Sequence, residues 1–240
     1  MKYAILSDVH SNWEALTAVI EDAQQHGADQ LLCLGDTVGY NADPALCLDK
    51  IKELAAVIIC GNHDYYCSQD AHLNDFPPQL AEIIEWTREQ LSDEQLAYLR
   101  QLPLIATVSD FTLVHSNLYQ PEGWGYVLKV EEAELHFAHQ ESDLCFNGHT
   151  HVPLCFTQDK QIIRSFYDVV KIKPGCKYLI NVGSVGQPRD RDPRSSYVLY
   201  DDKTKTVQLR RLNYAVREAQ KKLLFAGLPE KLVVRLGLGK

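Results

Sequence analysis

Five groups of residues able to ligate a metal recur along the 240-residue chain: Asp8-Val-His10, Gly35-Asp36, Gly61-Asn62-His63-Asp64, His115 and Gly148-His149-Thr150-His151. Each stands directly behind a short apolar run, such as Tyr3-Ala-Ile-Leu6 before Asp8, Leu31-Leu-Cys-Leu34 before Asp36 and Val57-Ile-Ile-Cys60 before Asn62. Asp, Asn and neutral His supply oxygen and nitrogen donors without a soft thiolate, a set suited to Mn, Fe, Zn, Ni or Co. In an extended chain residues i and i+2 share a side, so Asp8 and His10 are expected to reach one ion, and His149 and His151 one ion or two neighbouring ones. Gly35, Gly61 and Gly148 permit the tight turns that present the next side chain. The donors Asp8, His10, Asp36, Asn62, His115, His149 and His151 are too many for one tetrahedral ion. They suit two ions about 3.5–4 Å apart sharing a carboxylate. Each group alone is ordinary: Gly-Asp is frequent in turns, and a lone histidine behind a strand is usually a surface or hydrogen-bonded one. The combination is far less so.

The intervening segments must carry these groups to one place. Ser11-Asn-Trp-Glu14 reads as a capping box before Leu16, Val19, Ile20 and Ala23 at helical spacing, with Gly27 as the stop. Pro44 to Leu54 reads as a second helix. Strand, helix, strand, helix, strand is the signature of a parallel sheet with crossover helices, whose strand ends are where ligands bind. Pro77-Pro78 opens a helical stretch, and Ser92-Asp-Glu-Gln95 starts another. Strands then dominate: Thr112–His115, Leu144–Phe146, Pro153–Phe156, Ile162-Ile163, Tyr178–Asn181, Tyr197–Tyr200 and Val207–Arg210. The tail returns to two short helices around Gly227-Leu-Pro-Glu230. With no repeat or linker, one α/β domain over residues 1–240, with two facing sheets and outer helices, accounts for this order.

Composition narrows the function. A formal charge of −8 works against sequence-independent binding to nucleic acid or to an anionic membrane. No apolar run reaches the roughly 18 residues of a membrane span, and no signal peptide precedes Asp8, so a cytoplasmic location is expected. Seven cysteines without a C-x-x-C pair argue against both a disulfide framework and a thiolate zinc site. Those in apolar runs, Cys33, Cys60 and Cys145, are expected to pack as small hydrophobes.

The motif residues resemble the calcineurin-like metallophosphoesterase superfamily, whose pattern is D-x-H, G-D, G-N-H-[DE], H and G-H-x-H. Ser7–Asn12, Leu34–Tyr40, Asn181–Asp190 and Gly227–Leu232 further resemble a branch of small stand-alone bacterial and archaeal phosphoesterases. The resemblance implies a four-layer α/β/β/α sandwich of two facing mixed sheets. It also implies a ligand set: Asp8, His10 and His151 on one metal, Asn62, His115 and His149 on a second, and Asp36 bridging. His63 would then stabilise phosphoryl oxygens or protonate the leaving alcohol. Two adjacent divalent or trivalent ions would polarise the phosphate and yield hydroxide near neutral pH for in-line attack.

The expected reaction is phosphodiester hydrolysis on a small or nucleotide-like substrate. Dinucleoside polyphosphate or phosphomonoester cleavage is the alternative, and a non-catalytic scaffold on the same fold a distant one. A nuclease would want a basic groove that this chain lacks. Gly39 and Tyr40 stand where protein phosphatases of the superfamily carry Asp and Arg, which argues against a phosphoprotein substrate. Ser116 replaces a frequent Gly behind His115, and Val182 replaces a Pro in Asn181-Val-Gly183. Arg189, behind the Gly-rich Gly183–Gly186, is either a clamp for a substrate phosphate or the partner of Asp190, Asp192 or another surface carboxylate. Trp13 and Trp86 are expected to pack, while Trp124 lies in a Gly-rich loop near His115 that could face substrate. Specificity is expected in loops 65–78 and 116–128. Substrate identity, the native metal and any homo-oligomeric state have no readable code.

Overall fold

Tyr3 to Leu6 are buried on both faces, as a strand covered on one side by a second sheet and on the other by helices must be. The computed structural model describes residues 1–69, 73 and 76–240; positions 70–72 and 74–75, part of the expected specificity loop 65–78, lie outside the described residues. The first half runs β1 (Lys2–Leu6), α1 (Trp13–Gln25), β2 (Gln30–Cys33), α2 (Pro44–Leu54), β3 (Ala55–Ile58), α3 (Asn62–Ser68), α4 (Pro78–Glu89) and α5 (Asp93–Leu99). There follow β4 (Ile105–Val108), β5 (Phe111–Val114), α6 (Val130–Phe137), β6 (Leu144–Asn147), β7 (Leu154–Gln158) and β8 (Ile162–Ser165). The chain continues through β9 (Val169–Lys171), β10 (Lys177–Asn181), β11 (Ser195–Asp201), β12 (Thr206–Leu212), α7 (Val216–Phe225) and α8 (Glu230–Leu238).

Two six-stranded sheets result, ordered β3-β2-β1-β11-β12-β9 and β4-β5-β6-β10-β7-β8. The expected parallel unit is present in β1, β2 and β3, but β11 joins the other side of β1 antiparallel, so the sheet is mixed. In the second sheet β5, β6 and β10 are mutually parallel and their outer neighbours antiparallel. Between the sheets lies an aromatic core: Phe111 meets Tyr3, Phe146 and Tyr200 edge-to-face with ring centres 5.2–5.5 Å apart. The outer face of the first sheet packs Ala4, Leu6 and Cys33 against α1 and α2, and that of the second packs Cys145, Phe156 and Leu179 against Ala133 and Phe137 of α6. The fold is therefore an α/β/β/α sandwich. All seven cysteines are free thiols, six of them buried. Among the described residues no helix is long and apolar enough to cross a membrane.

Several local expectations change. The cap of α1 is Asn12, whose Oδ1 accepts from Ala15 N at 3.1 Å, and not Ser11, which is displaced by its positive φ of 56°. The box at Ser92 and Gln95 forms as its sequence predicts. Among the α-helices and strands of the described residues, four have no counterpart among the expected ones: α3, α6 and the short strands β4 and β9.

One polar knot ties α1 to the sheet beneath it. Asp22 accepts from Tyr197 Oη (2.7 Å) and from Arg210 Nε and Nη2 (3.0 and 2.8 Å). Burial opposes ionisation of Asp22, yet the hydrogen bonds from Arg210 and Tyr197 outweigh it and hold the carboxyl below its usual value. A depressed folded pKa contributes stability above the unfolded value of about 3.9, and this is lost as pH falls through the folded value. Asp22→Asn is thus expected to lower stability by about 1–3 kcal/mol at neutral pH. In urea melts its difference from the parent should shrink toward zero at acid pH; a difference independent of pH would refute the charged knot.

Candidate metal centre

The loops behind β1, β2, β3, β5 and β6 meet at one edge of the sandwich because they hydrogen-bond to each other's backbones. Asp8 N donates to Gly35 O (3.0 Å), His10 N to Asp36 O (2.9 Å) and Gly148 N to His115 O (3.0 Å). The loop after β10 closes over Asp8: Gly186 N and Ser184 Oγ both donate to its carbonyl at 2.9 Å. Asp8 and His10 do not lie on an extended chain, as the i, i+2 spacing predicts; both have positive φ (55° and 47°), as do Asp36, His149 and His151 (52°, 65° and 60°). The left-handed region costs a non-glycine residue roughly 1–2 kcal/mol, so the surrounding backbone bonds hold five donors in a conformation they would not adopt alone.

Of the expected turn glycines, Gly35 has positive φ (91°), whereas Gly61 and Gly148 act through close approach. A Cβ on Gly61 would sit 2.2 Å from both Asp36 N and Asp36 Oδ1, and one on Gly148 would meet Ser7 Oγ and Asp8 Oδ2.

The side chains form two overlapping groups, Asp8-His10-Asp36-His151 and Asp36-His115-His149, every member of which is buried. Asp36 belongs to both: its Oδ2 lies 3.5 Å from His10 Nε2 and 3.4 Å from His115 Nε2. Asp8 Oδ1 lies 3.2 Å from His151 Nε2 and 3.8 Å from His10 Nε2. Asn62 Oδ1 stands 3.2 Å from His115 Nε2. All seven expected donors are therefore together.

Ring orientation tests whether these donors fit a cation. His10, His115 and His151 each direct Nδ1 at a backbone carbonyl (Val38, Leu34 and Gln187 at 3.1, 2.8 and 2.5 Å). With Nδ1 donating, Nε2 keeps its lone pair and faces the cluster. His10 Nε2 and His151 Nε2 then confront each other at 3.1 Å. Two lone pairs at that distance repel unless a proton or cation lies between them, and it is a spacing that nitrogens about 2.0–2.1 Å from one ion adopt. Burial pushes both imidazoles below their ordinary pKa and so disfavours the proton. His149 is reversed: Nε2 lies 2.7 Å from Trp124 O, leaving Nδ1 as the free donor. The residues fit transition-metal ions.

Charge in the cluster is finely opposed. Burial disfavours ionised Asp8 and Asp36, but the facing histidines, His151 foremost for Asp8 and His115 for Asp36, outweigh it and hold both carboxyls low. Burial likewise disfavours a charged His115, but Asp36 and Asp8 raise it to about 9. Burial takes His149 down to about 3 and His63 to about 4. His63 sits in the first turn of α3; its backbone N–H donates to Asp36 Oδ1 (2.7 Å) and its ring stands edge-on to His10, centres 4.8 Å apart.

Arg189 is not the partner of Asp190 or Asp192, which pair with Arg211 and Arg194. Its Nη2 donates to Tyr40 Oη (3.2 Å), Nη1 lies 3.5 Å from Tyr126 Oη, and its buried Nε has no partner. Trp124 touches the centre through its carbonyl and, by its ring, His115 (centres 6.0 Å apart), while Trp13 and Trp86 pack against apolar clusters. The sequence reading included Asp64 in its motif but gave it no role: its carboxylate accepts from the backbones of Thr37, Val38 and Gly61 (2.9–3.2 Å), locking α3 onto the loop that carries Asp36. Burial and then Asp36 raise it to about 7. An acidic side chain three residues behind Gly61, where a capping box places one, was the available signal.

A mixed two-sheet α/β sandwich with a buried Asp/His cluster at its strand ends is an architecture able to hold metal ions. The family model of the calcineurin-like phosphoesterase superfamily domain matches residues 1–205, and the chain belongs to that superfamily of metal-dependent hydrolases. It is 36% identical over 241 residues to the uncharacterized protein MJ0912 of Methanocaldococcus jannaschii, covering 99% of this chain and 98% of that one. A metallophosphoesterase from Sphaerobacter thermophilus of known crystal structure superposes with a TM-score of 0.92 at 38% identity, covering 100% and 99% of the two chains. The phosphodiesterase YfcE of Escherichia coli K12 is 24% identical over 217 residues, covering 87% of this chain and 92% of its own.

The close approach at Gly61 makes a direct prediction. Gly61→Ala should displace Asp36 and strip the purified protein of most of its metal, read by elemental analysis, while circular dichroism still reports the fold. Metal content equal to the parent's would show that Asp36 needs no such clearance.

Proposed function

We propose that the chain hydrolyses phosphate esters of small or nucleotide-like substrates, diesters in preference to monoesters, at a centre of two transition-metal ions. Asp8, His10 and His151 would hold one ion, Asn62, His115 and His149 the other, and Asp36 both. The observation that carries this reading is the place of Asp36 Oδ2, almost equidistant from a histidine of each group. Similarity to a phosphodiesterase supports the diester preference. When bound, such ions supply Lewis acidity that polarises a phosphoryl oxygen and acidifies water. Manganese is the ion we would supply first, since N/O donors of this kind accept most first-row metals.

The chain's own residues would do the rest. His63, fixed through its backbone to Asp36 and buried beside His10, is placed to donate to a phosphoryl oxygen or to the departing alkoxide. Arg189 has no carboxylate partner among the described residues and an unused buried Nε, so its guanidinium is free to pair with a phosphoryl oxygen. The free thiols suit a reducing compartment, and we place the protein in the cytoplasm.

Purified protein should bind about two ions per chain and, with Mn²⁺, cleave bis-p-nitrophenyl phosphate faster than p-nitrophenyl phosphate. His63→Ala should retain metal and lose roughly 10²–10⁴-fold in turnover, whereas Asp36→Asn should lose metal and activity together. Undiminished metal in Asp36→Asn would remove the bridge, and neither metal nor activity after Mn²⁺ addition would remove the enzyme.

A further inference from the structure

Tyr40 belongs to two places at once. Its ring lies against the metal-centre imidazoles, 4.6 Å from His10 and 4.4 Å from His63 between ring centres. It also walls a cleft of about 150 Å³ between α4 and α8, where Leu80 and Ile83 face Leu232, Pro229 and Arg235. Tyr40 thus borders both the metal centre and this cleft.

No Asp or Glu pairs directly with the charges around that ring. Arg189 Cζ lies 5.7 Å and Arg235 Cζ 6.0 Å from its centre. Neither guanidinium pairs with an Asp or Glu among the described residues, and Arg235 spends only Nε, on the main-chain oxygen of the last residue, Lys240 (2.7 Å). Burial and then the charge of Arg189 push Arg235 below its ordinary value, the mark of two cations crowded together. Lys231 adds a third cation at the cleft. In a chain of net charge −8, such a local excess favours an anion strongly. The cleft on the other flank, of about 230 Å³ behind Tyr126, is lined instead by Glu132, Asn117 and Gln120 and offers no cation.

We propose that the cleft between α4 and α8 is a second anion subsite of the centre, with Arg235 as its selectivity residue. The preferred substrate is a phosphoryl compound with one arm that carries further phosphate joined to an apolar group, as in a dinucleoside polyphosphate. Water forms a new P–O bond, a P–O–P bond breaks, and the departing nucleoside phosphate takes the proton. Arg235 Nη1 and Nη2 meet the added phosphate bidentately, and the apolar walls take the far end of the arm. This rests on the phosphoesterase reading above.

The test compares metal-loaded enzyme on diadenosine tetraphosphate and on bis-p-nitrophenyl phosphate, which has no further anion. The parent should show the higher kcat/KM on the tetraphosphate. Arg235→Ala should cut the ratio of the two kcat/KM values by roughly tenfold or more, through KM, and Arg235→Lys should recover part of it. Without any variant, ATP should inhibit bis-p-nitrophenyl phosphate hydrolysis about tenfold more tightly than AMP, with Mn²⁺ in excess. Equal losses on both substrates, or equal inhibition by ATP and AMP, overturn the subsite and leave the phosphoesterase standing. Failure of the metal-loaded parent to cleave either substrate overturns the phosphoesterase and the subsite with it.

Discussion

Buried carboxylates repel, and a protein that gathers Asp8, Asp36 and Asp64 at one sheet edge must answer them with something positive. Without metal the answer is partial: His115 is drawn toward its charged form and Asp64 toward its neutral one. The remaining imidazoles are kept uncharged by burial and point lone pairs inward. The cluster is thus an electrostatic demand for cations, held in place by the scaffold around it. The backbone carbonyls of Val38, Leu34 and Gln187 fix ring tautomers, and the bonds between loops fix the ring positions.

Strain is part of how that scaffold works. Five donors have positive φ, a conformation tolerated only where neighbours over-determine it. The clearances at Gly61 and Gly148 belong to the same design, since a methyl group at either would occupy the space of a ligand oxygen or its backbone. Asp64, which is none of the seven expected donors and whose carboxylate accepts from backbone N–H groups, contributes by stapling the start of α3 to the turn bearing Asp36.

The donor set was legible because every ligand follows an apolar run, and a buried strand that ends in polar residues announces where its edge lies. Strand–helix alternation in the first half was legible for the same reason. The mixed character of the sheets was legible only through the family resemblance, because antiparallel pairing of β11 with β1 joins residues nearly two hundred positions apart and leaves no local trace. Strands β4 and β9 escaped because they are short and half exposed, lacking the apolar alternation that marks a covered strand. Helix α6 escaped because only Ala133, His136 and Phe137 are buried in it, too few for a periodic stripe. The left-handed backbone at Asp8 and His10 was invisible for a different reason: no side-chain preference calls for it, and tertiary bonds impose it. Arg189 was left open between substrate and surface pairing, and pairing with Asp190 or Asp192 was removed only by where Arg211 and Arg194 fell.

The donors are interleaved across the chain, and this bears on how the protein is made. His10 faces His151 across 141 positions, and Asp8 is roofed by Ser184 and Gly186. During synthesis from the N-terminus, the amino-terminal strands emerge long before the groups that complete their end of the site. A nascent chain therefore exposes half of a metal cradle, with acidic and imidazole groups in place but without the second sheet that dehydrates them. Tight ion capture must await the docking of both sheets, which makes metal occupancy a late event that reports finished folding and then holds it against reversal.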